Sequence, residues 1–508
     1  MQVQVNSRVA HVVSLVSSRA RLDYMSDDAT QRNENRSTLP AESAFRTYVS
    51  GDWADRERPE PRVREQVPFC VERRRQLSAE YPGQTLVIPA GQWLVRSYDT
   101  HHPFRAHSVF TYYTGWGSDT VADSVLVLTP RGDEHDATLY YRFPAGRGTD
   151  EFYSDSDIGE FWVGPRPSPD DVAVELGVAT APRGEFDELA EHADGTWLVI
   201  READSDVTAV VDAARGSLTD ADNDFFRFTS EQRLVKDSFE ISEIRHAIAA
   251  TKRGFDDVLR DIPEVIAHER GERLIEGTFN RRARAEGNFV GYETIAAAGD
   301  HSCILHWTRN DGKVSNGDLV LMDAGVEVES LYTADITRTF PVSGTYTATQ
   351  RQVYEAVREA ADAAFAVVKP GIVFKEVHAA AMAVIARKVS EWGFLPVSLK
   401  ESLADSGQHH RRYMVHGTSH HLGLDVHDCG QARKEFYKDG IVREGMVFTI
   451  EPGLYFQPDD LTVPEEFRGI GVRIEDNILV TATGAENLSI DIPRTADDVE
   501  AWITSLLR

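Results

Sequence analysis

The sequence predicts an α+β protein made of two folded segments, and three observations support this prediction. Between Val63 and about Phe228, compact apolar strands alternate with helix-like stretches, as in an α/β domain. From about residue 231 onward, long amphipathic helices are separated by strand-like segments that short turns connect, as in an α+β domain. The chain has 508 residues, enough for two or three domains with cores of their own. We therefore predict one domain over residues 62–230 and a second over residues 231–508.

The first 61 residues differ in composition from the rest of the chain. They are rich in Arg, Asn, Asp, Glu and Ser, so we expect a disordered leader over residues 1–61. The apolar stretch from Val9 to Val16 is interrupted by His11 and Ser14, which argues against a signal peptide. Met25 is a second candidate for the start of translation.

The overall charge and the cysteine content narrow the class of protein. The net charge is −28, from 82 acidic and 54 basic residues, so we expect neither nucleic acid nor an anionic membrane surface as a partner. No apolar run approaches the length of a membrane span. The three cysteines are far apart and odd in number, which favours a reducing compartment and predicts a cytoplasmic protein.

The secondary structure of each segment follows from apolar periodicity. In the first segment, β-branched runs bounded by turn residues predict strands over Thr85–Ile88, Ser124–Leu128 and Thr196–Ile200. Helix-like stretches between them cover Pro169–Glu175 and Phe186–Glu191. In the second segment, helical spacing predicts a long helix through Ile241–Phe255 and further helices over 350–368 and 374–392. Strand-like segments there cover 319–326, 334–340, 413–422, 446–451 and 470–480.

Two aspartates lie at strand positions in the second segment. Asp323 shares one strand face with Leu319 and Leu321, so it interrupts an apolar stripe. Asp335 follows twelve residues later, next to Ile336 on the opposite face. Two strands joined by a short connection would bring these two carboxylates side by side.

Two glutamates occupy comparable positions further along the chain. Glu451 ends an apolar run just before a Pro-Gly turn. Glu475 lies between Ile474 and Ile478, and Arg473 shares its strand face. A buried acid is costly unless a charged partner or a metal ion meets it. The two glutamates therefore join the aspartates as candidate metal ligands.

Three histidines accompany these acids, within one twelve-residue stretch: His416, His420 and His427. Carboxylates together with imidazole suit divalent manganese, iron, cobalt or zinc. Four carboxylates offset the charge of two divalent cations, whereas one structural zinc would not need so many. The sequence has neither an HExxH helix motif nor a GxSxG motif, which excludes the zincin and α/β-hydrolase patterns. These features favour a two-metal hydrolase site.

Five segments of the second domain resemble the pita-bread metallopeptidases, and within them the bacterial Xaa-Pro aminopeptidases (aminopeptidase P). The segments occur in the order and at the intervals of that family: CILHW at 303–307, DLVLMDAGVEVESLYTADITRTFPV at 318–342, HGTSHHLGLDVHD at 416–428, GMVFTIEPGLYF at 445–456 and FRGIGVRIEDNILVT at 467–481. The resemblance implies a creatinase-like N-terminal α/β domain followed by a C-terminal pita-bread catalytic domain.

The resemblance also implies residue roles and a reaction. The metal ligands would be Asp323, Asp335, His420, Glu451 and Glu475, with Asp335 and Glu475 bridging two manganese ions per subunit, or other divalent transition metals. A metal-bridging hydroxide would hydrolyse the bond between an N-terminal residue and a following proline. The residues expected to orient the substrate or support the site are His306, His416, His427, Tyr455 and Arg473, while Glu451 would also move a proton. The partners implied are peptides with proline at the second position and further copies of the chain, as a dimer or tetramer.

Two alternatives to aminopeptidase P stay open. A prolidase has the same fold and metals but cleaves only Xaa-Pro dipeptides; the Ser419-His420 pair favours aminopeptidase P. A metal-free pita-bread module that only binds a partner would have lost ligands, and here all five are present. We choose His420 over the adjacent His421 by its place in the HGxSH pattern, and expect His421 to be a solvated neighbour.

Overall fold

The computed structural model describes residues 40, 42–54, 56, 60–98 and 100–507. Its helices are α1 (Ser43–Ser50), α2 (Val67–Glu80), α3 (Ser108–Thr114), α4 (Glu151–Ser154), α5 (Glu160–Val163), α6 (Pro169–Leu176), α7 (Arg183–Ala190), α8 (Ser205–Arg215), α9 (Thr219–Gln232), α10 (Ser238–Arg260), α11 (Ile262–Ala267), α12 (Gly271–Glu286), α13 (Ala348–Val367), α14 (Lys375–Glu391), α15 (Leu399–Leu403) and α16 (Ala496–Leu506). Among these described helices, none is long and apolar enough to cross a bilayer.

The strands fall into several small sheets. They are β1 (Thr85–Pro89), β2 (Val95–Ser97), β3 (Thr100–His101), β4 (Val125–Arg131), β5 (Glu134–Tyr141), β6 (Ala179–Pro182), β7 (Trp197–Val199), β8 (Phe289–Val290), β9 (Ile295–Ala298), β10 (Leu319–Ala324), β11 (Val326–Glu327), β12 (Ile336–Pro341), β13 (Val447–Ile450), β14 (Gly453–Phe456), β15 (Ile470–Arg473), β16 (Asp476–Val480) and β17 (Ala485–Asn487). Short 3₁₀ turns cover Gly299–Cys303, His409–Arg412 and Glu465–Phe467.

The chain divides into two compact units, the smaller of which joins the segment up to Arg62 with Arg142–Glu175. In it, α1 places the ring of Phe45 5.3 Å from that of Tyr153, centroid to centroid. Arg46 of the same helix pairs with Asp150. The predicted disordered leader is therefore wrong over α1, because an aromatic contact and an ion pair tie this helix to residues of the same unit. Residues 1–39, with Met25 and the apolar stretch near it, lie outside the described residues.

The N-terminal part of the larger unit contains a five-stranded sheet with the order β6-β5-β4-β1-β7. Strand β1 is antiparallel to β4 and parallel to β7, and all five of its residues are buried. The side chains of Val87, Val127 and Val199 form one core with Phe186 of α7 and Val207 of α8. The three strands predicted here and the helices predicted over α6 and α7 are confirmed, each within a few residues of its predicted bounds.

The C-terminal part of the larger unit holds the long helices and the small sheets. Helix α10 begins with a capping box, in which Asp237 accepts from the Glu240 peptide N–H and Glu240 accepts from that of Asp237. The three predicted helices of this segment correspond to α10, α13 and α14. Sheets β12-β10-β9 and β13-β16-β17 carry the predicted strands at 319–326, 334–340 and 446–451. The domain boundary predicted at 230/231 falls inside α9, and the domain ranges stay a prediction.

Two of the predicted strands differ from the structure. Residues 413–422 form a loop, which makes one isolated bridge, from His421 to Phe448. The segment 470–480 is broken at residues 474 and 475 into β15 and β16, which pair with different partners. The break places the peptide N–H of Glu475 against the carbonyl of Thr337, at 3.1 Å. Both departures lie where chain segments converge on the predicted metal ligands.

Candidate metal centre

The five predicted metal ligands come from five separate points of the larger unit, and four of those points are the ends or breaks of strands. Asp323 lies near the end of β10, the central strand of its sheet, and Asp335 lies just before β12. Glu451 directly follows β13, Glu475 lies in the break between β15 and β16, and His420 lies in the 413–422 loop. Strand ends fix the backbone while leaving the last side chain free to point at a common centre.

The structure brings these side chains together around the His420 imidazole. Single ligand atoms of Asp335, His420 and Glu475 all lie within 4.8 Å of one another. His420 Nε2 is 3.2 Å from Asp335 Oδ2, 3.5 Å from Glu451 Oε1 and 3.9 Å from Glu475 Oε1. Asp335 and Glu475 are 4% and 1% exposed, so the cluster is closed to bulk water on their side.

The backbone around His420 selects the ring nitrogen that faces the carboxylates. Its Nδ1 lies 3.2 Å from the carbonyl oxygen of His421, which can only accept, so Nδ1 carries the proton. Nε2 is then the nitrogen aimed at the acids, as in metal-ligating histidines whose other nitrogen binds a carbonyl. Thr449 holds the loop here: its peptide N–H donates to the carbonyl of His420, and its Oγ1 accepts from the His420 N–H.

Glu475 supplies the observation that tests whether a cation fits. Thr337 Oγ1 donates to its Oε2 at 2.8 Å, but its Oε1 is buried and has no hydrogen-bond partner among the described residues. A buried carboxylate oxygen without a partner is costly. Because this oxygen faces His420 Nε2 and Asp335, a divalent cation among the three side chains would satisfy it. The donor set, carboxylates with one imidazole, fits that cation.

Asp323 joins the cluster through two neighbours. Its Oδ2 accepts from Arg473 Nη2 at 2.6 Å, and its Oδ1 lies 2.7 Å from the hydroxyl of Tyr292. The same hydroxyl lies 2.6 Å from Asp335 Oδ1, so one phenol connects the two aspartates that were predicted to lie side by side. This prediction is confirmed in geometry, although the residue that Asp323 faces across the ladder is Thr337.

Burial and mutual repulsion perturb the acids of the cluster. Burial raises the pKa of Glu475 well above its ordinary value, and the charges of Asp335 and Glu451 raise it further. Burial raises the pKa of Glu451 to about 7, although the charges of His420 and Arg473 act in the opposite direction. Burial alone would lower the pKa of His420, but its hydrogen bond with Asp335 and the charge of Glu451 raise it to about 9. Without a cation, the raised pKa values mean that these acids favour their protonated forms, so a divalent cation that binds here would take the place of protons.

The supporting residues form a chain of hydrogen bonds beside the acids. Arg473, 4% exposed, donates from Nη1 to the hydroxyl of Tyr455 at 3.1 Å. That hydroxyl lies 2.8 Å from His416 Nε2, and His416 Nδ1 lies 2.6 Å from the carbonyl of Gly417 and 3.6 Å from Glu451 Oε2. Burial and the nearby charge of Arg473 lower the pKa of His416 to about 3, so the ring is neutral near pH 7.

His427 and His306 lie at the exposed side of the cluster. The ring of His427 stands edge-on to that of His420, with centroids 4.5 Å apart. His306 is exposed, in the loop after the 3₁₀ turn Gly299–Cys303. Burial lowers the pKa of His427, and the charges of His420 and then His306 contribute. Both side chains therefore lie where a bound peptide could reach them.

His421 differs from its prediction. Instead of being solvated, it is 1% exposed, and its ring stacks on Phe374 with centroids 4.8 Å apart. Its peptide N–H donates to the Tyr437 hydroxyl at 3.0 Å. The helix α14 and the 430–440 loop close over this side of the 413–422 loop, so His421 packs into the core while His420 faces the acids.

Three residues of the site were missed by the sequence analysis: Tyr292, Thr337 and Asn477. Asn477 holds the backbone of Asp335 from both sides, accepting from its N–H at 3.2 Å and donating to its carbonyl at 2.6 Å. Thr337 and Asn477 stand two residues after the predicted ligands Asp335 and Glu475, so same-face spacing could have found them. Tyr292 lies in a loop with no pattern that points to the site.

Comparison with known proteins agrees with the predicted fold and family. The sequence profile of metallopeptidase family M24 matches residues 242–482, and that of the aminopeptidase P N-terminal domain matches residues 70–196. Xaa-Pro aminopeptidase 1 of Streptomyces coelicolor is 47% identical over 459 residues, which cover 90% of this chain and 91% of that one. The Xaa-Pro aminopeptidase of Escherichia coli is 34% identical, over 85% of this chain and 97% of that one.

Solved structures of aminopeptidases P are also similar to this chain over most of its length. Aminopeptidase PepP of Pseudomonas aeruginosa superposes with a TM-score of 0.76 at 29% identity, over 88% of this chain and 99% of that one. Zinc-substituted E. coli aminopeptidase P in complex with product gives a TM-score of 0.75 at 31% identity, over 88% of this chain and 100% of that one.

The fold and the ligand cluster define a metallopeptidase of family M24, with an aminopeptidase P N-terminal domain and a pita-bread catalytic domain. Within that class, the chain belongs to the Xaa-Pro aminopeptidases, the aminopeptidase P family. The predicted fold class and the family resemblance are thereby confirmed, as is the prediction of an enzyme of this kind.

Proposed function

We propose that this chain removes an N-terminal residue from peptides whose second residue is proline, and that Asp323, Asp335, His420, Glu451 and Glu475 hold two divalent cations for this reaction. The single observation that carries the proposal is the Glu475 Oε1 atom, buried without a partner and facing His420 Nε2 and Asp335. Manganese is the ion we expect from the family resemblance. When bound, such ions lower the pKa of water and polarise a carbonyl group.

The chain's own residues have three tasks in this proposal. His306, His416 and His427 orient the scissile carbonyl, with His306 and His427 on the exposed side of the cluster. Glu451 moves the proton, since its carboxylate lies between two imidazoles, with Oε2 3.6 Å from His416 Nδ1 and Oε1 3.5 Å from His420 Nε2. Arg473 and Tyr455 keep Asp323 and His416 in place through their hydrogen bonds.

Proline at the second position makes the scissile bond a tertiary amide. That bond has no N–H group, so the site cannot bind it by a donor on the leaving nitrogen. Recognition must instead come from the shape of the proline ring and from the free N-terminus of the substrate. This chemistry distinguishes the reaction from that of a general aminopeptidase.

A prolidase would bind the same cations and differ only in the length of its substrate. The decisive experiment compares a Xaa-Pro dipeptide with a Xaa-Pro-Yaa-Yaa peptide, using purified protein loaded with manganese and mass spectrometry of the products. We expect release of the first residue from the longer peptide. Cleavage of the dipeptide alone would refute the aminopeptidase assignment.

Two controls make that experiment specific. An otherwise identical peptide with alanine in place of proline should be a poor substrate. The Asp335→Ala variant should be inactive, which excludes a contaminating peptidase. If the wild-type protein binds no metal and stays inactive with added manganese, the metal-free binding module is the better description.

The proposal also includes the compartment and the oligomeric state of the protein. All three cysteines are unpaired and buried, which suits a reducing, cytoplasmic compartment. We also propose a dimer or tetramer, by resemblance to the family. Light scattering of the purified protein tests this oligomeric state, and a monomer at micromolar concentration would contradict it.

A further inference from the structure

The loop that carries His306 has little regular structure of its own. It is the first part, residues 299–312, of the connection between β9 and β10, and beyond the turn Gly299–Cys303 it contains neither helix nor strand. Asn310, fully buried, anchors one point: its Oδ1 accepts from the Ala296 N–H at 2.9 Å, and its Nδ2 donates to the Thr294 carbonyl at 2.8 Å. The part next to His306 needs another anchor.

Glu272 provides that anchor from the first turn of α12, where its side chain is fully buried. Its Oε1 accepts from the Ala298 N–H at 2.8 Å and lies 2.7 Å from His301 Nδ1. Its Oε2 accepts from Trp307 Nε1 at 2.8 Å and from the Gly312 N–H at 2.6 Å. One carboxylate thus accepts from four donors, which belong to the end of β9, the 3₁₀ turn, the residue after His306 and the end of the loop.

The packing around this carboxylate is tight. The rings of His301 and Trp307 stack with centroids 3.8 Å apart at 28°, so the two side chains that bind Glu272 also bind each other. A Cβ atom at Gly312 would lie 2.6 Å from Glu272 Oε2 and 2.7 Å from His301 Cε1, which excludes any larger residue there. A buried carboxylate that meets four N–H groups is fully satisfied and strongly directional.

We propose that Glu272 is the positioning residue for His306. It acts through Trp307, the direct neighbour of His306, and through the two ends of the loop, so that an exposed histidine keeps one place relative to the metal ligands. The inference rests on the substrate-orienting role proposed above for His306. Glu272 itself touches neither substrate nor metal ligand in this assignment.

The test is the isosteric variant Glu272→Gln. An amide oxygen still accepts two of the four N–H groups, but the amide NH₂ then faces the other two donors. We expect kcat to fall roughly tenfold to a hundredfold, as for a displacement of a reacting group by about 1 Å. Glu276→Gln, one turn later on the same helix and half-buried, is the matched control and should keep wild-type kcat.

A double-mutant cycle separates positioning from general destabilisation. If Glu272 acts through His306, adding Glu272→Gln to His306→Ala should lower kcat no further than His306→Ala alone. The proposal is wrong if the kcat losses of the two single variants multiply in the double variant. It is also wrong if Glu272→Gln keeps a normal kcat while His306→Ala is impaired. A normal kcat for His306→Ala would instead refute the proposed role of His306 and remove the basis of this inference. If Glu272→Gln fails to fold, Trp307→Phe replaces it in the same cycle, because it removes one donor and keeps the ring.

Discussion

Arg473 Nη2 donates to Asp323 Oδ2 at 2.6 Å, and both side chains are almost fully buried. Arg473 Nε also donates to Thr337 Oγ1 at 3.1 Å, and Thr337 in turn donates to Glu475. One guanidinium therefore orients an aspartate and a glutamate of the proposed metal centre, directly and through a hydroxyl. From its place on the strand face of Glu475, we expected Arg473 to support the site, and the carboxylate that it contacts directly is that of Asp323.

Replacing Arg473 by methionine should impair the site without leaving a large cavity in the core. The variant keeps most of the side-chain volume but leaves Asp323 oriented by Tyr292 alone. We expect kcat/KM to fall about 10- to 100-fold, the usual effect of losing a group that orients a metal ligand. Steady-state kinetics with metal analysis measures this. Arg131→Met, at an exposed side chain paired with Asp136, should change neither kcat/KM nor the metal content, and equal losses in both variants would contradict the assignment.

The sequence could point to this cluster of acids because the strands that carry them have a clear apolar pattern. Asp323 and Asp335 stand at strand positions where an acid is conspicuous, and the structure brings both to one hydroxyl. Glu475, the third predicted ligand of this group, lies within reach of Asp335 and His420, although it stands in a strand break that a two-residue period cannot reveal. Partners such as Tyr292 and Glu272 could not be predicted, because a loop tyrosine and a helix glutamate look ordinary in an acidic protein until the fold places their donors and acceptors.

The 413–422 loop shows how a sequence pattern can mislead and still contain information. The peptide N–H groups of Leu422, Thr449 and Glu451 join this loop to β13, with the carbonyls of Val447, His420 and Thr418 as their partners. The segment therefore runs beside a strand, as its apolar residues indicated. The 3₁₀ turn before it and Gly417 within it interrupt a regular ladder.

Removing divalent cations should destabilise the protein, because the buried acids then repel one another. Burial and the charges of its neighbours raise the pKa of Glu475, so its charged form is unfavourable until a cation stabilises it. We expect chelator to lower the unfolding temperature and manganese to restore it. A free metal concentration about 100 times Kd adds about 2.7 kcal/mol per site.

The matched variant for this prediction is Asp335→Ala. It should be inactive, and added manganese should shift its unfolding temperature less than that of the wild-type protein. Asp439→Asn, a carboxylate far along the chain and paired with Lys375, should keep the full shift. A full manganese shift in Asp335→Ala would exclude Asp335 as a ligand.

His421 should govern stability more than catalysis. Because its ring is buried against Phe374, His421→Ala would leave a cavity and lower the free energy of unfolding by about 2–4 kcal/mol. The activity per folded molecule should change little, since the ring faces away from the acids. Urea denaturation with parallel kinetics at low temperature tests both statements, and a kcat loss as large as that of Asp335→Ala would contradict them.

The same histidine should make stability depend on pH. Burial, followed by the charge of Lys236, lowers the pKa of His421 to about 3, whereas an unfolded histidine titrates near pH 6.5. As pH falls below about 6.5, the unfolded chain therefore binds a proton that the folded chain excludes, and stability declines by about 1.4 kcal/mol per pH unit from this group. His421→Phe keeps the stack on Phe374 and should reduce that slope between pH 6 and 4. Identical slopes in the two proteins would contradict the buried neutral state.

Lys236 and Asp428 form a buried ion pair beneath the loop that carries His427. Lys236 Nζ lies 2.6 Å from Asp428 Oδ2, with both side chains at most 1% exposed, and Arg233 Nη2 lies 3.3 Å from Asp428 Oδ1. Lys236→Met would leave Asp428 with the more distant Arg233 only. Because breaking a buried pair leaves one charge uncompensated, we expect a loss of about 3–5 kcal/mol in the free energy of unfolding.

The double variant Lys236→Met/Asp428→Asn distinguishes an uncompensated charge from lost packing. With both charges removed, the cost should be clearly smaller than the sum of the two single variants, since the second substitution removes the charge that the first one exposed. Lys375→Met breaks a solvent-exposed pair with Asp439 and should change stability little. Strict additivity in the buried cycle would mean that Arg233 alone compensates Asp428, and that Lys236 stabilises this loop only by filling space.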